Sequence, residues 1–423
     1  MTGARKLSSK QIGAVALGNA IEFYDFITYS FFAVQIGRTF FPSADPATSL
    51  LASLATFGAG FLTRPLGALV IGRLGDRVGR KPMMLFTFML IGCAIVGLAL
   101  TPSYSSIGVA APVLVIIFRL IQGFALGGEV GPSTAFLVEA APPGRRGLYV
   151  SFQYMGQDAA ILLAGLVGFT LASLMDGAAL TQWGWRIAFL LGAIIVPVGL
   201  FLRHTLEETL DVEAADRGHR PPFSSYRRIA FLGLFLIIAA TIAAYILDYL
   251  TTYAISTLHM SEQLAFGSTI LLGLCGVIGD PLGGWLSDRF GRKPVMMLPW
   301  MFLLATVLPA FWLVSHFPTA ASLYAVTALL QLPLCISSSS VLVSVTETLP
   351  TRVRCGSLAL IYALAVSVFG GSAQFIVAWL TKASGNAMAP AWYMTAAATM
   401  GLVAMFAMRE SSPRLIVRQP QLA

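Results

Sequence analysis

The chain has 423 residues, 57% of them hydrophobic and only 11% charged, with a mean hydropathy of +0.79. Soluble domains carry about a quarter charged residues, so a soluble enzyme or binding module is excluded and a polytopic membrane protein is expected. The formal charge of +8 is scattered through short segments between apolar stretches, which leaves no basic domain for nucleic acid to bind.

Spans of about 20 apolar residues begin near Gln11, Thr48, Met83, Ile107, Gly147, Trp185, Ile229, Glu262, Val295, Ala320, Cys355 and Ala389. Segments this long are not barrel strands, so an all-α bundle of twelve transmembrane helices is predicted. Placing both termini on the cytoplasmic side puts 22 of the 27 Lys and Arg residues in inside segments, the positive-inside bias. The first span carries Asn19, Glu22 and Asp25 and lacks a small-residue cleavage pattern, so it is expected to stay as helix one.

Asn19, Glu22 and Asp25 are spaced by three and share one side of span one. Arg64 lies in span two, towards its cytoplasmic end, and is expected to pair near Asp76. The segment GRLGDRVGRKP from Gly72 to Pro82 returns as GGWLSDRFGRKP from Gly283 to Pro294, with Asp76 and Asp288 separated by 212 residues. It reads as a charged hairpin loop after the second span of each half, with Asp76, Arg80, Asp288 and Arg292 as gating residues that bond helix ends and release them. Span four holds Arg119, Gln122 and Glu129 on one face. After it, Glu139-Ala-Ala-Pro142 recurs as Glu347-Thr-Leu-Pro350 after span ten, adding Glu139 and Glu347 to the gate.

Span five contributes Gln153, Tyr154, Gln157 and Asp158, span seven Tyr245 and Asp248, span eight Asp280, span ten Ser337 to Ser340 and span eleven Tyr362. The repeats divide the protein into a six-helix half over residues 1–204, a cytoplasmic linker over 205–228 and a second half over 229–423. Pseudo-symmetric halves of this kind imply a cavity at their interface near the bilayer midplane, reached alternately from each side.

Ionisable groups in spans are expensive and must pair or line a wet cavity. Arg119 is the candidate anion-binding group, since a guanidinium stays charged and can grip a carboxylate at two points. An internal pair with Glu129 or Glu22 is the alternative, and the two roles can alternate during a cycle. Asn19, Gln122, Gln153, Gln157, Tyr245, Ser338 and Tyr362 are the neutral candidates for the substrate site. Glu22, Asp25, Glu129 and Asp158 are candidates for proton coupling, with helix packing as the rival role for Asp158 and Asp248. Gly273, Gly276 and Gly279 read as a close-packing stripe. The four cysteines show no CxxC pair, so neither a disulfide nor a metal site is expected, and no cofactor; no nucleophile and base arrangement points to an enzyme.

The duplicated loop resembles the signature of the major facilitator superfamily, and Arg119-Leu-Ile-Gln122-Gly123 with Gly127 resembles its fourth-span motif. Gly18-Asn19-Ala-Ile-Glu22-Phe-Tyr-Asp25-Phe26, Arg64-Pro65-Leu-Gly67, Gly127-Gly128-Glu129 and Trp183-Gly-Trp-Arg186 are similar to the metabolite:proton symporter family. Within it, Phe40-Phe-Pro42 and Arg203-His-Thr-Leu-Glu-Glu-Thr209 are most like citrate and tricarballylate symporters. Asp158, Asp248 and Asp280 stand outside that pattern. The resemblance implies proton-coupled import of a small carboxylate by a monomer in a bacterial inner membrane, with dicarboxylates or zwitterions such as proline and betaine as alternatives and a transporter-like nutrient sensor as a more distant one. Its partners are then a small organic anion, protons and the lipid bilayer.

Overall fold

A computed structural model describes residues 20, 23–78, 80–127, 134, 137–138, 141–142, 144–204, 222–350 and 353–412. Within helices, the side chains at 72–73, 75–78, 80–82, 84, 195–196, 198–204 and 355 lie outside that description. Asn19, Glu22, Glu129 and Glu139 fall outside the described residues, as do the side chains of Asp76 and Arg80.

The architecture is all-helical, and the twelve expected spans can be followed among the described residues. Helical residues 23–31 continue, after a turn at Phe32, into α1 (Ala33–Phe40). The second span bends between α2 (Pro46–Leu62) and α3 (Arg64–Val78). Pro65, lacking an N–H, cannot close the turn there, and Thr63 at the bend donates its hydroxyl to Leu120 O at 2.7 Å. Next come α4 (Arg80–Leu100), α5 (Ala110–Leu126), α6 (Arg146–Leu174) and α7 (Trp185–His204).

The second half opens with α8 (Phe223–Asp248), which breaks at Tyr249 before α9 (Leu250–Ser256). It begins inside the stretch read as linker, because the chain turns helical directly after Pro222. Then follow α10 (Glu262–Phe290), α11 (Arg292–His316), α12 (Ala320–Thr348), α13 (Arg354–Ala365), α14 (Gly371–Ser384) and α15 (Ala389–Ala407). A π-helical turn over Val366–Gly370 joins α13 to α14 in one span. Eight of these helical stretches are long and apolar enough to cross a membrane among the described residues.

Caps set several starts. The Asp45 carboxylate accepts from Ala47 N ahead of Pro46, Ser261 caps α10, and Thr319 and Ser322 form a reciprocal capping box on α12.

The charged hairpin is shorter than its sequence suggests. Gly283 to Phe290 form the last two turns of α10, and only Gly291, with φ 104°, separates them from α11. A side chain there would be strained. The glycines at 283 and 284 serve contact instead: a Cβ on Gly284 would stand 2.5 Å from Gly147 O.

α6 and α10 pack along nearly their whole length, from Gly147 against Gly284 to Ser173, which accepts from Gln263 at 3.1 Å. Between them, Gly273 lies against the Leu162 backbone and Gly276 against Asp158, while Gly279 packs on Cys335 and Leu332 of α12. The close-packing reading of the three glycines therefore holds. Without a hydrophobic force between helices in lipid, backbone contact of this kind supplies the attraction.

Candidate transport site

Arg119 on α5 is fully buried where the first, second and fourth spans meet. Its Nη1 donates to Gln122 Oε1 at 2.8 Å, and Gln122 Nε2 donates to Asp25 Oδ2 at 2.7 Å. An amide thus stands between the cation and the carboxylate. The guanidinium lies over the rings of Phe26 at 4.4 Å and Tyr29 at 4.6 Å, where cation–π attraction offsets part of its desolvation. Arg119 Nε and Nη2 have no hydrogen-bond partner, nor does Asp25 Oδ1. Nε and Nη2 form one edge of the fork, the edge that takes a carboxylate side-on.

Arg64 sits nearby, 4.5 Å from the centre of the same Phe26 ring and 4.3 Å from that of Phe61. The expected pairing with Asp76 falls on a side chain outside the described residues; the two positions stand twelve residues apart on one helix, about 18 Å. Tyr245 on α8 packs edge-on to Phe61 at 5.7 Å. Both guanidinium charges act on Tyr245, and that of Arg64 also on Tyr362. Tyr362 in turn contacts Gln157, whose Nε2 is otherwise unpartnered.

The structure therefore brings Asp25, Gln122, Arg119, Arg64, Tyr245, Tyr362 and Gln157 into one region at the interface of the two halves. Gln153 is held by Thr134, whose hydroxyl donates to its Oε1. Ser337, Ser339 and Ser340 donate to Met296 O, Asp280 Oδ1 and Arg292 O, which leaves Ser338, partly exposed, as the one serine of the run without such a bond. Asp158 faces α10 and α12 in the seam, and Asp248 is buried at the end of α8.

The gate candidates of the second half converge at the basic end of the bundle. Asp288 Oδ1 and Oδ2 accept from Gly147 N and Leu148 N, each at 2.9 Å, so this carboxylate caps the start of α6 across the seam. Arg292 donates to Asp288 Oδ1 at 2.7 Å and makes two bonds to Glu347, at 3.0 and 3.2 Å. Arg146 adds a looser pair with Glu347 at 3.7 Å.

Several participants escaped the sequence reading. Glu410 accepts from the backbone N–H groups of Arg292 and Lys293, both at 2.9 Å; as the acid amid the basic residues that follow the last span, it carried a usable signal. Gln374, an amide in an apolar span, accepts from Ser30 at 2.8 Å and donates to Tyr245 O. At the end opposite the basic one, Lys382 pairs with Asp45, and Gln35 donates to Glu262 at 2.8 Å. The Ser30–Gln374, Lys382–Asp45 and Gln35–Glu262 contacts join the first six spans to the last six. A hollow of about 1010 Å³ lined by Arg38, Thr101, Trp183 and Arg186 contains none of the groups above.

Two bundles meeting at buried polar groups, with paired contacts at both ends, define a membrane transporter. The chain matches the Major Facilitator Superfamily over residues 15–373 and belongs to that family. It is 36% identical to the citrate-proton symporter of Klebsiella pneumoniae over 93% of this chain and 91% of that one. It is 34% identical to the proline/betaine transporter of Escherichia coli K12, over 96% of this chain and 84% of that one. Its fold is that of a xylose transporter of E. coli in a partially occluded inward-open conformation, with a TM-score of 0.77, 17% identity, and coverage of 94% of this chain and 98% of that one.

Proposed function

We propose that the protein imports a small carboxylate together with protons, a tricarboxylate such as citrate or tricarballylate being the first candidate. The observation that carries this reading is the unpartnered edge of Arg119, Nε and Nη2, buried beside the Asp25–Gln122 chain. A buried donor pair of this kind costs free energy until an acceptor reaches it, and a carboxylate matches it at two points. The citrate relative supports the choice of anion. Glu22, Glu129, Asn19 and Tyr362 complete the proposed surroundings.

Coupling to protons follows from the charge carried. Moving a trianion inward against an inside-negative potential costs ~7 kcal/mol per 100 mV, at about 2.3 for each charge. Co-transported protons remove that cost. Asp25 is the first candidate for the carrier, because substrate drawing on Arg119 alters the charge that faces it through Gln122. The basic end is then cytoplasmic, the membrane is a bacterial inner membrane, and Asp76, Arg80, Asp288, Arg292, Glu139 and Glu347 form the inside gate of a monomer.

A zwitterion is the second reading, favoured by three buried acids, Asp158, Asp248 and Asp280, and by the proline/betaine relative. Counterflow in proteoliposomes separates the two: vesicles loaded with citrate should exchange labelled citrate and ignore betaine. Arg119→Lys should weaken citrate binding about ten- to a hundredfold, the loss of one charge-assisted bond of about 1.5–3 kcal/mol. Unchanged affinity in that variant removes Arg119 from the site.

A further inference from the structure

Where α6 and α10 touch near their middles, two carboxyl groups face each other across the seam. Asp158 and Asp280 are in side-chain contact, and donor atoms of Asp158, Asp280 and Cys335 all lie within 4.8 Å of one another. Cys335 Sγ donates to Asp158 Oδ2 at 3.7 Å, and Ser339 Oγ donates to Asp280 Oδ1 at 3.0 Å. Asp280 Oδ2 has no partner, although the residue is only 1% exposed. Gly276 leaves the room in which Asp158 sits, since a Cβ there would stand 2.0 Å from Asp158 Cγ.

Among the described residues, the titratable groups facing this pair are Tyr154 on α6, Asp248 on α8, Cys275 on α10 and Cys335 on α12. None of them is basic. Two ionised carboxylates would meet here with only acceptors turned to each other and no ammonium or guanidinium among these neighbours. One proton between them supplies Asp280 Oδ2 with a donor and removes half the charge.

We propose that Asp158 and Asp280 form a second proton-binding site, one carboxyl from each half of the bundle sharing a single proton across the seam, apart from the Asp25–Gln122–Arg119 chain. The step moves one proton between the pair and water and breaks no other bond. With the proton in place the pair is a hydrogen bond that ties α6 to α10; without it, two like charges push the helices apart. The site thereby links proton occupancy to the separation of the halves. It deepens the proton-coupling part of the proposed function, and its test needs no substrate, so the two can fail separately.

The test is infrared spectroscopy of the full chain in liposomes, following the carbonyl stretch that protonated carboxyls show and carboxylates lack. Spectra are recorded through a pH titration in sodium-free buffer and again with sodium chloride. Asp158→Asn and Asp280→Asn should each shift this one band and lower its pH midpoint, because the like charge beside the remaining carboxyl is gone, and the double variant should delete it. A band untouched by both substitutions overturns the proposal. So do two bands lost additively, which mean separate protons, and a wild-type band abolished by sodium, which means a metal-cation site. Should the Asn variants fail to fold, Ser339→Ala removes the donor to Asp280 Oδ1 and should shift the pH midpoint of that band; no shift overturns the proposal equally.

Discussion

Asp288 offers the sharpest perturbation, because Asn keeps its shape and changes only its bonding. The carboxylate accepts three bonds, from Gly147 N, Leu148 N and Arg292 Nη1. An amide has one oxygen, so its NH₂ must turn towards one of these donors. One backbone bond to a charged acceptor is lost and the Arg292 contact is weakened, at about 1.5–3 kcal/mol each. The two bonds from Arg292 to Glu347 persist and limit the damage. We take about 3 kcal/mol, within the usual cost of breaking a buried pair. This bond exists only while α6 abuts α10 at the basic end, so conformers open there should become about a hundredfold more populated. A Ser151→Cys reporter, buried against Gly284, in a background without other reactive cysteines reads that opening as the rate of maleimide labelling. Asp288→Asn should speed labelling by up to that factor, and slow turnover more than it weakens substrate binding. An unchanged labelling rate, or binding lost in step with transport, would refute the gate.

Three further expectations can be checked with the same preparations. Asp25→Asn should abolish accumulation driven by a pH gradient while leaving exchange measurable, as counterflow and gradient-driven uptake in one batch of vesicles will tell; accumulation at the wild-type level moves the carrier to Glu129 or Asp158. Lys382, with Thr48 and Ala47 N, holds the Asp45 carboxyl at about 2, below its ordinary 3.8. The pair's contribution is thus complete above that ordinary value and fades as pH falls towards 2, so opening at this end, read by labelling Ser53→Cys, should be flat from about pH 4 upward and faster in Lys382→Met. Gly276→Ala should lower stability by about 1–3 kcal/mol through overpacking against Asp158, seen as a drop in apparent melting temperature.

How far the sequence carried this picture depends on the range of the interactions. Span positions were legible because each depends on a local run of apolar residues, and α7, α10, α12 and α15 begin at the residues where those runs begin. The cluster at the basic end of the second half was legible because repetition marks Asp288, Arg292 and Glu347, which the fold brings together. Arg119, Gln122 and Asp25 were legible as residues of spans one and four, but their order in space was not: periodicity places Gln122 beside Arg119 and says nothing of its reaching Asp25 on another helix. Arg64 was legible as a charge in span two, but the aromatic faces of Phe26 and Phe61 beneath it were not, since they come from two different helices. Gln153 was legible as a polar group in span five, whereas its bond from Thr134 depends on which neighbour stands opposite. Asp158 and Asp280 were conspicuous singly, yet nothing in a linear reading places residues 122 positions apart against each other.

The glycine-lined line between α6 and α10 also sets how the protein can move. Helices held by interlocked large side chains must unlock them to turn, and so move in jumps. Here backbone lies on backbone where Gly147 meets Gly284, Gly165 meets Ile270 and Leu162 meets Gly273, and the contact resembles an oiled bearing with very few teeth. Asp158, fitted into the notch at Gly276, is the tooth near its middle, and Asp288 on the α6 terminus is the catch at its end. A bearing of this design makes rotation cheap and stopping places few, so the protein's resting states are chosen by a handful of carboxylates rather than by the bulk of its core.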